Sequence, residues 1–466
     1  MNKRNKQWFV VPLTAIVLTV GCTPLNTLNT NSSPPPANQN ANATPSLQTN
    51  AGSVTMFTLP MLRAFFDNRN FTAELSNRLG LSVDQISQLQ KLARDSRNLN
   101  AEEEAGDSTY AARQEAREKI AAIIGEQKTA QLAVIVDEYW HGKPTAANGA
   151  TNADGTTDSA SWNIIPTDTR IVVNAPAYRM DIFENGQLVK SFKVGVGYPE
   201  FPLPTGLRQA QAIIFNPSWV PPDEPWVESS TRVRPGEKVE AGDKLNPLGI
   251  AKIPIGLPSL IHGGKAAAKI GGFASHGCIG LTDAQMREFI QEIARISNTN
   301  ITAQDIAEYG KRRTQTQEVK LTVPVPVELR YETILVENGN LHIYRDIYDM
   351  DTNTEANLRM VLGKYGVTVE DLSEAEQTQI LKALKDMSRD ASGKLDNDKR
   401  GVNASQSNAN RKTDKPKAKS AKVTRTVKGA KEVVIDIAAL VGKGYPEPIA
   451  SVGRKIKSSK SLTSRK

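Results

Sequence analysis

Two polar tracts divide the 466-residue chain and limit how it can fold. Residues 23–53 and 143–163 consist mainly of Asn, Thr, Ala, Ser, Gly and Pro, with few large apolar side chains. Such tracts bury too little apolar surface to offset the conformational entropy that is lost on ordering. We therefore expect separately folded regions that these linkers join.

The first 22 residues have the pattern of an export signal. A basic start precedes an uncharged apolar run from Trp8 to Val20, and a small residue, Gly21, precedes Cys22. The run is short for a membrane span and lacks a stop-transfer flank, so we expect cleavage. The segment resembles a bacterial lipoprotein signal peptide, which implies lipidation of Cys22 and a membrane anchor, although Thr19 stands where that family usually has an aliphatic residue. The alternative is an ordinary signal peptide with an incidental cysteine.

Residues 54–142 are predicted to form a helical hairpin domain. Apolar residues recur at the spacing of one helix face in two stretches, and Ser82 with Gln85 has the pattern of a capping box. His141 is interpreted as a helix-end residue without a functional role. The apolar positions are Leu75, Leu79, Ile86, Leu89 and Leu92 in the first stretch, and Ile120, Ile124, Leu132 and Ile135 in the second.

The next region changes to the period-2 alternation of β-strands. Asn185-Gly186 and Asn338-Gly339 each lie between alternating apolar and polar residues, which predicts two β-hairpins. His342, in the second hairpin, is given no role, and Ser373 with Glu376 predicts a capped helix. The predicted divisions are a signal peptide (1–22), linker (23–53), helical domain (54–142), linker (143–163), catalytic domain with one helix near 283–296 (164–296), β extension (297–350), helical segment (351–390) and basic tail (391–466).

The basic character of the chain belongs to its last segment. Residues 391–466 carry 19 Lys and Arg against 6 Asp and Glu, a net charge of +13, whereas the whole chain is +8. Such charge runs are usually solvated, so this tail is predicted to be disordered. Nucleic acid is a poor partner for an exported chain, and we expect anionic wall polymers or lipid headgroups to bind the tail instead.

Residues 261–281 contain half of the histidine and cysteine residues in the chain. They hold His262, His276 and Cys278, from a total of four histidines and two cysteines. If Cys22 is lipidated or removed, Cys278 has no disulfide partner, so its retention in an exported protein asks for a chemical reason.

A covalent acyl-transfer site is one interpretation of this stretch. A thiol reacts as the thiolate, and His262 can take its proton if the chain folds back. His276 and Cys278 share one face of an extended segment, and Gly277 leaves room for a carbonyl beside the Cys278 amide. Two alternatives stay open here: a metal site, which lacks a nearby Cys or acidic partner, and a glycine-rich turn with an inert buried thiol.

The same stretch resembles the active-site signature of the L,D-transpeptidases of bacterial cell walls, the YkuD or ErfK-like family. An HG motif at 262–263 is followed, after a spacer, by Ser-His-Gly-Cys at 275–278. The resemblance covers roughly residues 165–349. It also rests on the opening strands in IVVNAPAYRMDIFENGQLVKSFKVGVG, the Pro-Thr-Gly turn at 204–206, NPSWVPP around Trp219, NPLG at 246–249 and the β extension in RYETILVENGNLHIYRDIY. It implies a β-sandwich or open-barrel catalytic domain. With the helical regions and the disordered tail predicted above, which lie outside the resemblance, we expect a multidomain α+β fold.

Carried over by position, the resemblance implies that Cys278 is the nucleophile and His262 the general base. It implies that the Gly263 carbonyl orients His262, and that His276 with the amides of Gly277 and Cys278 lines the oxyanion side. Ser275, Lys265, Lys269 and Trp219 are expected to contact substrate, and neither a cofactor nor a metal is expected.

Two positions depart from the family pattern. The family usually has Thr where this chain has Gly264 and Arg where it has Gly280. An arginine provides a rigid fork of donors that can brace a loop or meet an anionic group, and we expect Lys265 or Lys269 to substitute for it.

The implied function is an envelope-anchored peptidoglycan L,D-transpeptidase. Its partners would be peptidoglycan stem peptides, with a wall-attached protein as a further acceptor, and its membrane contact would be the lipid at Cys22. The alternatives are an L,D-carboxypeptidase or hydrolase of the same fold, and a catalytically weak wall-binding scaffold.

Overall fold

The computed structural model describes residues 57–66, 69–95, 109–141, 162–222, 227, 232–256, 259–394 and 424–449. The predicted export signal, the lipidation of Cys22, the linker at 23–53 and nearly all of the linker at 143–163 lie outside the described residues. Within the described residues, no helix is both long enough and apolar enough to cross a membrane.

The N-terminal region is helical, and its described part holds five helices rather than the two of a hairpin. Glycines with positive φ, Gly80 at 58° and Gly125 at 82°, divide each predicted stretch in two because they end one helix before the next begins. The predicted capping box is present, since Gln85 N donates to Ser82 Oγ and Ser82 N donates to Gln85 Oε1. The helices are α1 (Leu59–Arg63), α2 (Arg69–Leu79), α3 (Val83–Asp95), α4 (Thr109–Ile124) and α5 (Glu126–His141).

An eight-stranded sheet forms the centre of the next region, in the order β3-β2-β1-β10-β5-β6-β7-β9. Its pairs are antiparallel except β1 with β10 and β7 with β9. The predicted hairpin at Asn185-Gly186 is confirmed, with φ of 48° and 80° at the two turn residues. The strands are β1 (Arg170–Asn174), β2 (Arg179–Glu184), β3 (Gln187–Lys193), β5 (Gly206–Phe215), β6 (Ala251–Pro254), β7 (Leu260–His262), β9 (Ile279–Gly280) and β10 (Gln317–Arg330), with β4 (Val196–Gly197) and β8 (Phe273–Ser275) paired separately.

Two helices follow β9 in the chain. The predicted helix is present as α6 (Asp283–Ile296), and its apolar face, including Phe289 and Ile293, is buried in the core of the sheet. A second helix, α7 (Ala303–Lys311), was not predicted; Thr302 and Asp305 form its capping box. The α+β class and the β-rich catalytic region predicted from sequence are therefore confirmed.

A second sheet and two further helices share another core. The hairpin predicted at Asn338-Gly339 is confirmed as β11 (Ile334–Glu337) and β12 (Asn340–Tyr344), and β12 pairs with β13 (Glu432–Asp436). Helices α8 (Glu355–Gly363) and α9 (Glu374–Met387) pack on this sheet through Leu358, Val361, Ile380 and Leu384, among others.

The prediction that 391–466 is a disordered tail is wrong for residues 424–449. There β13 lies in a sheet, and Ile435, Ile437 and Leu440 are buried in its core. The strand is only five residues long. The composition of the segment is therefore dominated by the surrounding Lys and Arg, which predict a solvated tail.

Candidate active site

Cys278 lies in the short turn between β8 and β9. Gly277 adopts a φ of 84°, a left-handed conformation that favours glycine. The hydroxyl of Ser275 donates to the Cys278 carbonyl at 2.5 Å and accepts from the Cys278 amide at 3.1 Å. The hydroxyl of Ser259 donates to the Gly277 carbonyl at 2.7 Å. Two hydroxyl groups therefore fix the backbone on which the thiol stands.

His262 ends the neighbouring strand, β7. In the parallel pairing of β7 with β9 it lies opposite Gly280, two residues beyond Cys278. The buried ring contacts the Gly263 carbonyl through Nδ1 at 2.8 Å. A carbonyl oxygen only accepts, so Nδ1 carries the proton and Nε2 keeps the lone pair that a general base needs.

The electrostatics favour a neutral thiol and a neutral imidazole at rest. Burial, with the charge of Lys265, lowers the pKa of His262 to about 3. Burial raises the pKa of the Cys278 thiol, against the opposing effects of a hydrogen bond from the Leu260 backbone and the charge of Lys265. The arrangement can therefore deprotonate the thiol as it attacks, rather than store a thiolate and an imidazolium.

Lys265 occupies the space that Gly280 leaves open. A Cβ placed on Gly280 would lie 2.7 Å from Lys265 Cγ and 3.1 Å from its Cε. The ammonium is close enough to lower the pKa values of His262, His276 and Cys278. Burial in turn lowers the pKa of Lys265, and the nearby Cys278 opposes that effect. Lys265 thus lies within the candidate site and fills the space that a side chain at position 280 would need.

Gly264 marks a place where the backbone admits no side chain. Its φ is 75°, and a Cβ there would lie 2.6 Å from the Pro247 carbonyl oxygen. Its amide donates to Asp283 Oδ1 at 2.8 Å, and the Ile250 amide donates to the same oxygen at 3.2 Å. Asp283 therefore ties the segment after His262 to the turn before β6, in a geometry that excludes threonine at position 264.

His276 packs into an aromatic loop. Its ring centroid lies 5.1 Å from that of Tyr198 and 4.9 Å from that of Phe201. Burial first, then the charges of Arg425 and Lys265, lower its pKa well below the ordinary value. The ring is therefore neutral near pH 7. Its role on the oxyanion side stays a prediction, as does that of the Cys278 amide, which donates to Ser275 in this structure.

The two remaining predicted contact residues lie on other segments. Lys269 is exposed in a short 3-10 turn, Ala267–Lys269, and its charge lowers the pKa of Lys265. Trp219 is partly buried in the loop after β5 and exchanges backbone hydrogen bonds with Val239. Among the described residues, no group of three or more His, Cys, Asp or Glu side chains could hold a metal ion.

Several residues around the site are not indicated by the sequence motif. Trp140, on α5, lies against Gly277, and Arg425 stacks over the Tyr198 ring at 4.4 Å and pairs with buried Glu200 at 2.9 Å. Both belong to segments that the motif does not include. No local pattern in the sequence connects them to Cys278, so only the tertiary structure reveals them.

Comparison with known proteins finds a family model that matches this region. Residues 168–321 match the YkuD family model, described as an L,D-transpeptidase catalytic domain. No curated protein matches the chain. Similar solved structures include the Ldtfm–avibactam carbamoyl enzyme, with 17% identity over 35% of this chain and 49% of that chain and a TM-score of 0.23. The match therefore spans about half the length of that protein.

Two further structures show similar values. The catalytic domain of the Enterococcus faecium L,D-transpeptidase is 18% identical over 35% of this chain and 98% of that chain, with a TM-score of 0.23. An L,D-transpeptidase from Mycobacterium smegmatis is 17% identical over 35% of this chain and 58% of that chain, with a TM-score of 0.22.

Proposed function

We propose, from the premise that residues 168–321 form a YkuD-family domain, that the chain is a cysteine-dependent peptidoglycan L,D-transpeptidase. The observation that carries the proposal is the pairing of β7 with β9, which sets His262 beside the turn that bears Cys278. The contact between His262 Nδ1 and the Gly263 carbonyl supports it, because this contact leaves Nε2 as the base.

The first half-reaction forms a thioester. As the Cys278 sulfur attacks the carbonyl between the third, diamino residue and D-alanine of a tetrapeptide stem, His262 Nε2 takes the thiol proton. The S–C bond forms, and the C–N bond then breaks as His262 returns the proton to the departing D-alanine amine. The imidazolium exists only transiently during the transfer, since burial disfavours it at rest.

The second half-reaction releases the acyl group to an acceptor. An amine of another stem peptide attacks the thioester carbonyl and gives its proton to His262, which passes it to the leaving Cys278 sulfur. Lys265 is proposed to meet an anionic group of the substrate, because its ammonium lies by both reacting side chains. Water as acceptor would make the protein a carboxypeptidase, and an amine of a wall protein would attach that protein to the wall.

The envelope setting is part of the proposal. Lipidation of Cys22 would hold the domain to a membrane facing the wall, and basic segments outside the described residues would bind anionic envelope polymers. The described part, 424–449, belongs to a folded sheet and is not assigned this role.

Product analysis tests the function. The purified full chain is incubated with defined disaccharide-tetrapeptides, and the muropeptides are identified by mass spectrometry, with Cys278→Ala as the control. We expect cross-linked dimers that only the native protein makes. Tripeptide alone would indicate a carboxypeptidase, and unchanged tetrapeptide would favour the scaffold alternative.

A further inference from the structure

Trp140, in the helical region, lies beside the turn that carries Cys278. This indole is only 1% exposed and sits near the end of α5, outside residues 168–321. A Cβ on Gly277 would lie 3.6 Å from Trp140 Cζ2 and 3.7 Å from its Cη2. The edge of the indole therefore faces the side of Gly277 on which a Cβ would stand, at an ordinary contact distance from that Cβ position.

Polar contacts fix the indole in this place. Its Nε1–H donates to the Pro202 carbonyl at 3.0 Å, and the Trp140 carbonyl accepts from Arg208 Nη2 at 2.7 Å. Pro202 belongs to the loop after β4, and Arg208 lies on β5 of the central sheet. Trp140 thus has the ring, its N–H group and the backbone all engaged with the catalytic region.

Gly277 is enclosed by this arrangement. The Ser259 hydroxyl donates to its carbonyl at 2.7 Å, and a Cβ on Gly197 would lie 3.1 Å from its amide nitrogen. Gly277 is buried, and Trp140 lies over the position that a Cβ would take. A residue held at a φ of 84° by neighbours on several sides cannot relax without moving Cys278, to which it is bonded.

The loop that receives the indole is itself held by the helical region. Phe201 is part of the apolar core formed by α1 to α5, and its ring also contacts that of His276. Thr58, which caps α1, donates through Oγ1 to the Glu200 carbonyl at 2.8 Å. The helical region therefore supports the Ser-His-Gly-Cys turn both directly and through this loop.

We propose that Trp140 is a positioning residue that holds the Gly277–Cys278 turn in its reactive geometry, so that the helical region is an integral part of the acyl-transfer site. The inference rests on the proposed function in that Cys278 is taken as the nucleophile. It goes beyond that function by assigning the N-terminal helices a role in the chemistry, rather than in wall binding or spacing.

The test compares Trp140→Ala and Trp140→Phe with Leu89→Ala in the full chain. Leu89 is fully buried in the same helical core, on α3, so its truncation controls for lost stability. Two readouts are measured at a temperature where all variants are folded. They are the rate of Cys278 acylation by a carbapenem, and the pH profile of iodoacetamide alkylation of the peptide that contains Cys278.

We expect Trp140→Ala to slow acylation by about tenfold or more, because the thiol loses its fixed approach to the carbonyl. The alkylation midpoint should move to lower pH as water reaches the turn. Trp140→Phe keeps a ring but loses the N–H group and should slow acylation by roughly two- to fivefold. Leu89→Ala should change neither readout.

Acylation of Trp140→Ala within twofold of the native rate would overturn the proposal, as would an equal loss in Leu89→Ala. If Trp140→Ala does not fold, the comparison of Trp140→Phe with Leu89→Ala decides by the same criteria. Neither readout requires a tetrapeptide, so the outcome is independent of the muropeptide products that test the proposed function.

Discussion

Gly280→Arg tests whether Lys265 fills the place of the family's arginine. The three atoms nearest to a Cβ at this position all belong to Lys265, at 2.7, 3.1 and 3.3 Å, and no backbone atom is among them. The new side chain must therefore displace Lys265. Overpacking of this kind costs about 1–3 kcal/mol, which corresponds to a decrease in Tm of roughly 2–12 °C for a domain of 150–250 residues.

A double-mutant cycle isolates the contact. Lys265→Ala removes the obstructing side chain together with a partly buried ammonium, so we expect it alone to change stability by no more than about 1 kcal/mol. Gly280→Arg in that background should lose most of its cost, which gives a coupling free energy of at least about 1 kcal/mol. Sites that do not interact are additive to within about 0.3–0.5 kcal/mol.

Gly264→Ala is the matched control, because its obstruction is backbone. A Cβ there would lie 2.6 Å from the Pro247 oxygen and 2.7 Å from the Gly249 nitrogen, at a φ of 75°. Strain and overpacking together should cost about 2–4 kcal/mol, and Lys265→Ala should not relieve it. Thermal unfolding of the single and double variants measures all these terms. Additive effects of Gly280→Arg and Lys265→Ala would refute the idea that the two positions share one space.

Three further predictions concern the chemistry and the C-terminal segment. By intact-mass spectrometry, a carbapenem should add once to the native chain and not to Cys278→Ala. His262→Ala should slow this acylation about a hundredfold or more, and His276→Ala should slow it less. The reverse order would exchange their roles as general base and oxyanion-side residue. Because the pKa of His262 is about 3, acylation at pH 5 should keep most of its rate at pH 7, whereas the rate with a base of the ordinary pKa of 6.5 would fall about 25-fold. Deletion of residues 451–466, which carry six Lys and Arg and no acidic residue, should weaken pelleting with sacculi at low salt but leave acylation intact, and pelleting that salt does not change would argue against a charge interaction.

Local patterns allowed much of the fold to be predicted. Both Asn-Gly hairpins and the capping boxes at Ser82 and Ser373 are in the structure, because a turn or a cap is specified by neighbouring residues. Helix α7 also has a capping box, but it is only nine residues long and buries one apolar side chain, Ile306, so its periodic signal is weak.

Long-range contacts could not be read in this way. Strand β12 pairs with β13, and β13 lies in a segment whose composition is that of a charged tail. The sequence motif indicated Cys278 and His262 as candidate catalytic residues, and the structure places them on adjoining elements. Trp140 lies beside the turn that bears Cys278, and Arg425 stacks on Tyr198, whose ring contacts that of His276. Which of many aromatic and basic residues would do so depends on tertiary packing. Gly280 is an intermediate case. Its departure from the family pattern was visible in the sequence, but the presence of the Lys265 side chain in the adjacent space was not.

Direct observation of the acyl-enzyme tests the central claim most closely. The full chain is mixed with tetrapeptide in the absence of an amine acceptor, quenched in acid, and analysed by mass spectrometry for the peptide containing Cys278, while released D-alanine is quantified. We predict a tripeptide thioester on Cys278 and an equal amount of D-alanine, with neither in Cys278→Ala. A native protein that a carbapenem acylates, but that forms no thioester and releases no D-alanine, would contradict the account.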